Sequence, residues 1–254
     1  MYTTFLRLIL LFLSFSGFYS VAYTQNGLIK YSQELGLGVD KSAYLVFDAS
    51  KSIYYFQRGK LDSGVEMEEV NPNEFAYQVR DKEGISFYFD QEEAVLISRQ
   101  YVFFNDSFVL LEEDIPNFRW EISEETRLIS GFLVQKALGT FRGRNYIAWF
   151  TREIPFDVGP WKFNGLPGAI LEVVDSEDKF SFKALSITYP SKQKLDITPP
   201  KKGKKLKGFE EFKQYVKEKA TEWTKYIQSK GPGYSGAPDF DSFIEKFDTD
   251  NNEE

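Results

Sequence analysis

The amino-acid sequence predicts a mainly β protein: a curved antiparallel sheet, open-barrel or sandwich-like, followed by one amphipathic helix near the C-terminus. Three observations carry that expectation. Between residues 41 and 189, short runs rich in aromatic and β-branched residues recur at close intervals, separated by polar turns. No rhythm of strand, long helix, strand runs through them, as a parallel sheet would require. The 25 Phe, 15 Tyr and 4 Trp among 254 residues supply the bulk needed by cross-strand pairs and by the concave face of a bent sheet.

Residues 1–24 carry one positive charge at Arg7, an apolar run from Leu8 to Phe18, and small residues at Ser20 and Ala22, which is the pattern of a secretory signal peptide. A membrane anchor is the alternative, but the run is shorter than the roughly 18 to 20 residues that cross hydrocarbon, and Ser14, Ser16 and Gly17 weaken it. Cleavage is expected at Thr24–Gln25, with Ala22–Tyr23 as the second choice.

A β domain is expected over residues 25–189. Tyr44–Phe47 and Ile53–Phe56, joined through Asp48-Ala49-Ser50, read as a hairpin. Further strands are expected at Phe75–Val79, Ile85–Phe89, Val95–Arg99, Phe108–Glu112, Arg119–Ile122, Gly131–Leu138, Tyr146–Phe150, Ile170–Val174 and Phe180–Ile187. Residues 190–208 then turn to Pro and Lys, with Pro199-Pro200 followed by lysines at 201, 202, 204, 205 and 207, a linker or exposed arm. Within 209–230, Phe209, Phe212, Val216, Ala220, Trp223 and Ile227 recur at spacings of three and four and form one stripe of a helix that Gly231-Pro232-Gly233 ends. That stripe packs on the β domain or meets a partner or membrane surface. Residues 231–254 are expected to be a flexible tail.

Composition removes several chemistries. With no Cys, the chain has no disulfide, no thiol nucleophile and no lipid-anchoring thiol. With no His, it lacks the usual zinc ligand, the usual general base near neutral pH and every Ser-His-Asp arrangement. No cofactor or metal is expected. Loss of Arg7 with the leader leaves 30 basic against 38 acidic residues, a net charge of −8 that disfavours nucleic acid and anionic lipid.

The segment Gly143–Val174 is the most informative, because two aromatic β-runs flank a stretch dense in Gly, Pro and Trp. Tyr146, Ala148 and Phe150 alternate with Ile147 and Trp149, so this strand carries bulk on both faces and belongs inside a sheet. Ile154-Pro155 and Gly159-Pro160 take the chain out of the sheet. Asn164-Gly165 suits a tight turn, and Pro167-Gly168 suits the centre of a type II turn. Trp161 and Phe163 are spaced to share one face. The aromatics either plug the end of the core or build a binding surface. The candidate ligand- or partner-contacting residues are Trp149, Trp161, Phe163, Gly165, Leu166, Pro167 and Gly168.

Phe163-Asn164-Gly165-Leu166-Pro167-Gly168-Ala169-Ile170-Leu171-Glu172 resembles the signature of the GLPGLI family of exported bacterial proteins. Gly131-x-x-x-Gln135-Lys136-Ala137, Phe141-x-Gly143-Arg144, Ala148-Trp149-x-Thr151 and Ile154-Pro155 add to the likeness, which extends from about Gly131 to Ile187. Two positions depart from it. Ala169 stands where the family's named Leu falls, and Val134 where Cys is frequent. The resemblance implies export, a β-rich fold and no established activity, so it transfers no catalytic residue.

Other chemical motifs fail on their context. Gly233-Tyr234-Ser235-Gly236-Ala237 lacks the final Gly of a nucleophile elbow, and Ser191-x-x-Lys194 lacks the partner motifs of penicillin-recognising enzymes. Asp248–Asn252 opens like a calcium loop, but Glu253 stands where Gly is needed. Pairs such as Glu172 with Asp175 or Glu153 with Asp157 cannot be singled out from 38 acids. Two functions remain. The first is an exported, non-catalytic protein of the periplasm or outer-membrane periphery, or secreted, that binds an apolar ligand, a peptide or an envelope protein. The second is a hydrolase of peptide or glycan working through carboxylates or a Ser/Lys pair.

Overall fold

The alternation of bulky and polar side chains does build strands, and nearly all of them join one sheet. The computed structural model of the chain describes residues 25–35, 42–56, 65–71, 74–79, 82–193, 195–230 and 244–247. The expected signal peptide, most of the tail, Gly231-Pro232-Gly233, the Gly233–Ala237 motif, Lys194 and Asp248–Asn252 lie outside these.

In chain order the strands are β1 (Gly27–Glu34), β2 (Ser42–Phe47), β3 (Lys51–Phe56), β4 (Val65–Asn71), β5 (Glu74–Val79), β6 (Ile85–Asp90), β7 (Val95–Val102) and β8 (Ser107–Asp114). Then come β9 (Glu121–Ile129), β10 (Phe132–Phe141), β11 (Arg144–Thr151), β12 (Ala169–Asp175), β13 (Ser181–Thr188) and β14 (Lys204–Lys207), and the helix α1 (Phe209–Gln228). Twelve strands form one open sheet in the order β14-β8-β7-β6-β3-β2-β1-β13-β12-β11-β10-β9, while β4 and β5 pair as a separate hairpin. Two antiparallel meanders are thus sewn together by β1 against β13, with Ile29 opposite Ile187. The sheet is mixed rather than purely antiparallel, since β14 runs parallel to β8 with Leu206 opposite Leu111.

The sheet bends around its own aromatic face. Irregular register at Lys30/Tyr31, Gln135/Ala137 and Trp149/Phe150 adds local twist and bending. Across the concavity, Tyr31 of β1 donates its hydroxyl to Ile170 O at 2.6 Å, and Tyr54 of β3 meets Phe182 of β13 edge to face at 6.3 Å. One continuous core contains residues from both meanders together with Ile154, Val158, Trp161, Phe163 and Leu166 from the β11–β12 connection. Each fully buried ring or aliphatic side chain of this kind contributes about 1.5–3 kcal/mol.

Of residues 190–208, expected as a linker or exposed arm, the described ones, 190–193 and 195–208, instead form a strap along the sheet. Leu195 and Ile197 cover Val46, Ile53 and Tyr88 on the outer face. Buried Arg99 then donates to Lys202 O at 2.7 Å and to Gly84 O at 2.5 Å with its guanidinium 3.5 Å from the Phe108 centroid, and β14 follows. Lysines 204, 205 and 207 face solvent while Leu206 is buried, so one apolar residue and a parallel ladder place a segment whose composition reads as solvated. The helix α1 packs through Phe212, Tyr215, Val216 and Ala220. Phe212, Tyr215 and Val216 share a second core with Val102, Val109, Leu111, Leu206 and Phe247, while Trp223 lies against Phe103 and Phe104 at 6.1 and 5.9 Å. Among the described residues no helix is long and apolar enough to cross a membrane.

Burial pushes the Tyr31, Tyr54 and Tyr146 phenols well above their usual value of 10.0. A raised folded-state pKa leaves stability intact below pH 10 and removes it as pH climbs above, because only the unfolded chain ionises there. Absorbance titration at 295 nm should therefore show these phenols ionising together with alkaline unfolding. Titration of all 15 tyrosines near pH 10 with the fold intact would refute their burial.

Candidate functional site

The β11–β12 connection leaves the sheet at Thr151 and returns at Ala169, and its backbone is tied at both ends. Ala169 N donates to Ile154 O at 3.0 Å, and Ile170 N donates to Val158 O at 2.9 Å. Gly165 takes the positive φ expected of it, +87°, and its N–H reaches the Asp157 carboxylate. Crowding by the loop pushes the Asp157 carboxyl above the usual range, against the pull of the Gly165 and Leu166 amides. At Pro167-Gly168 the expected type II turn is replaced by a tighter one. Gly168 N donates to Leu166 O at 2.7 Å, the bond of a γ-turn, because the N–H of Ala169 is already spent on Ile154. Gly168 has φ +154°, and a Cβ there would lie 2.0 Å from Thr151 O, so the return to the sheet requires glycine.

Trp161, Phe163 and Leu166 point inward and are buried, whereas Gly165 and Pro167 are exposed at the loop tip and Gly168 is buried. Trp161 and Phe163 stand edge to face at 5.0 Å. Phe163 also meets Phe118, Tyr146 and Phe182 at 5.2, 4.9 and 5.5 Å. Trp149 lies apart on the outer face, half-buried under the Arg127 guanidinium, which pairs with Glu172. The candidate set therefore divides into core plugs, a small polar tip and one outer tryptophan, rather than one concave surface.

A feature missed at the sequence level lies beneath the loop. Between Trp161 and Phe163 sits Lys162, fully buried, its ammonium 2.6 Å from Glu113 of β8 and 2.9 and 3.1 Å from the two carboxylate oxygens of Glu245. Arg142, in the β10–β11 turn, donates to Glu113 at 2.6 Å and to Glu245. Phe209, opening α1, caps the group, with the Arg142 guanidinium 3.5 Å from its ring centroid. Two cations and two carboxylates thus form a charge-balanced cradle in which Arg142 alone keeps some exposure. It bridges β8, next to one end of the sheet, and the β10–β11 turn near the other, so it closes the seam that backbone pairing leaves open. Burial opposes ionisation of Glu113, but the Lys162 and Arg142 charges outweigh it and hold its carboxyl below the usual range.

Glu245 comes from a distant segment, Ile244–Phe247, laid across the seam. Tyr146 donates its hydroxyl to Ile244 O at 2.9 Å, Lys246 N donates to Arg142 O at 3.2 Å, and Phe247 stacks on Phe209 at 6.0 Å. A lysine between two buried aromatics and the carboxylate ending the run Leu110-Leu111-Glu112-Glu113 were the available sequence signals. Nothing local marks Glu245 as their partner.

A small cleft of about 110 Å³ lies beside the loop, lined by Asp48, Ser50, Lys51, Ser52 and Asp157 among others. It holds serines near a lysine, but Lys51 pairs with Asp90 at 3.1 Å, and that hydrogen bond raises its pKa. A lysine general base needs the opposite shift. Among the described residues no group of three or more acidic side chains is placed to hold a metal ion.

Residues 140–172 match the model of a family described as a protein of unknown function (Porph_ging). No curated protein matches the chain. Two crystal forms of PNGF-II, in space groups C2 and P21, share the fold over 77% of this chain with a TM-score of 0.51 and 14% sequence identity. The chain spans about a third of that protein's length, 33% and 34% in the two forms. At this identity the likeness concerns the β fold alone.

Gly168→Ala should lower unfolding stability by about 3 kcal/mol in urea titrations, since strain and clash combine there. Gly131→Ala, at φ +87° with open space around it, should cost about 1 kcal/mol. Equal losses would disprove the close approach to Thr151. Lys162→Met should cost about 3–5 kcal/mol by stranding two buried carboxylates. Because the Glu113 pKa is lowered on folding from 4.5, its contribution is present above pH 4.5 and lost as pH falls toward the folded value. Glu113→Gln should flatten the acid limb of the stability profile; an unchanged limb would mean that the cradle is not ionised.

Proposed function

We propose that the protein is an exported, non-catalytic binding protein of the cell envelope that recognises a peptide or a segment of a protein partner at the seam between β8 and the β10–β11 turn. The observation that supports it is the short segment Ile244–Phe247 held there by a fully buried lysine and an arginine. That segment is gripped through a carboxylate, two backbone polar groups and an aromatic ring, which are the contacts by which peptides are recognised. Burying two cations is costly, and hydrophobic replacements would stabilise a fold as well or better, so a recognition role gives their presence a reason.

Of the three ligand classes expected, a peptide or protein segment has more support than an apolar small molecule. The interior that a greasy ligand would occupy is filled by Ile154, Val158, Trp161, Phe163 and Leu166. A hydrolase of peptide or glycan has less support, since both cradle carboxylates are spent on cations and Lys51 is a paired, protonated lysine. Kinship with the GLPGLI family belongs to this proposal and rests on the motif from Phe163 to Glu172. Export to the periplasm or outer-membrane periphery, or secretion, rests on the leader pattern in residues 1–24.

Immobilised protein incubated with a pooled peptide library should retain a subset of peptides and return them at their original mass. Lys162→Met should reduce that retention at least tenfold. Shortened peptides, or sugars released from a glycan pool and lost in Glu113→Gln, would replace binding with hydrolysis; retention unaffected by Lys162→Met would remove the seam as the site.

A further inference from the structure

The seam's occupant is part of the same chain, and its chemistry specifies what else fits. With Ile244–Phe247 lifted out, Arg142 and Lys162 face Glu113 alone, and the buried group carries one uncompensated positive charge. That vacancy matches one monoanion. A carboxylate neutralises it, whereas a phosphate dianion would leave a buried excess of negative charge. Glu245 fills it by placing both oxygens on Lys162, at 2.9 and 3.1 Å, and one on Arg142.

The flanks add selectivity. Phe247, two residues on, is buried against Phe209 and Phe212 at 6.0 and 6.2 Å, while Ile244 rests on the main core. The backbone of Ile244–Phe247 belongs to no strand; Tyr146 and the Arg142 carbonyl hold it at two points. Release of these four residues therefore breaks side-chain contacts and isolated hydrogen bonds, not a sheet ladder.

We propose that Ile244–Phe247 is an intramolecular occupant of a carboxylate-recognition site, exchangeable for a partner segment in which a glutamate lies between an aliphatic residue and an aromatic one. The proposal rests on the seam-binding function above and adds both the ligand's chemistry and a built-in competitor. The resident segment lowers apparent affinity by the fraction of time it occupies the cradle.

Fluorescence anisotropy with labelled, C-terminally amidated tetrapeptide IEKF tests this on the full chain. Glu245→Ala combined with Phe247→Ala should bind it at least tenfold more tightly than the unaltered chain. A peptide with glutamine in place of its glutamate should bind at least tenfold more weakly, and adding Lys162→Met should abolish binding. Acetate, compared with chloride at equal ionic strength, should raise the Tm of Glu245→Ala by refilling the cradle with a carboxylate. Should both Glu245 variants fail to fold, hydrogen exchange on the unaltered chain decides the matter. The Lys246 amide should then exchange through a local opening, faster than the slowest core amides. Exchange only by global unfolding, or equal binding of the glutamate and glutamine peptides, would overturn the competitor. A dimer of the unaltered chain that swaps these segments between copies would overturn the partner assignment. If library peptides bind the unaltered chain through Lys162 but the double variant gains nothing, this proposal alone fails. If neither form retains any peptide, the seam-binding function itself fails.

Discussion

The burial of Phe163 is the constraint on which the rest depends. An open twelve-stranded sheet that bends on itself has a concave face too broad for its own side chains to close, and something must enter from the side. The β11–β12 connection does so, and the Phe163 ring touches Phe118 before β9, Tyr146 on β11, Trp161 beside it and Phe182 on β13. Those contacts hold Lys162 in place, because a residue between two inward-facing rings of a tight loop has little freedom to turn its side chain elsewhere. Trp120 adds a lock from the far side by donating its indole N–H to Asn164 O at 2.6 Å. The aromatic plug and the cradle's lysine are consecutive residues of one loop, so packing sets where that charge sits.

That dependence explains how a fully buried lysine is tolerated. Its desolvation is offset through short contacts to two carboxylates, and Arg142 completes the neutralisation. Such a group contributes little net stability relative to a hydrophobic one, yet losing one member is expensive. The consequence is a requirement for a carboxylate at this place, which Glu245 meets within the chain and which the proposed partner segment would have to meet in its stead. Glu113, Arg142 and Lys162 are supplied by a strand, a turn and a loop of the sheet domain, and Glu245 alone comes from beyond the helix.

How much of this was legible follows from where the signals lie. Strands with alternating apolar residues and both faces inside the sheet, such as Tyr146–Phe150 and Ile170–Val174, fall where expected, as does the helix from Phe209. β1 was not visible because its inward set is Ile29, Tyr31 and Gln33 among Lys30, Ser32 and Glu34, too polar to stand out until Gln33 is seen accepting from Tyr54. β9 was placed early, at Arg119–Ile122, because Phe118 and Trp120 look like strand residues. They are core plugs ahead of an edge strand whose Glu-rich sequence carries no apolar alternation. β14 hid among lysines, since its placement comes from pairing with β8. The loop was legible as a loop, its glycines and prolines as turns, and plugging of the core end was one of the two readings of Trp161 and Phe163, the one their burial bears out. The cradle was illegible for a deeper reason: its four members are spread over 133 positions, from Glu113 to Glu245 counted inclusively, and sequence spacing carries no information about such a meeting.

The proposed recognition at the seam fits the character of the sheet's edges. The edge strand β9 presents Glu121, Glu124 and Glu125, and β14 presents Lys204, Lys205 and Lys207. Charged edges of this kind discourage the addition of another strand. Backbone groups are therefore a poor handle for a partner at either end, and the main outer surface under the strap is covered by Leu195 and Ile197. Between β8 and the β10–β11 turn the situation is reversed. No ladder joins the two, the buried charge of Lys162 and Arg142 needs counter-charge, and Phe209, Phe212 and Phe141 lie around it. A segment that supplies a carboxylate and a ring meets both needs at once, as Ile244–Phe247 does with Glu245 and Phe247.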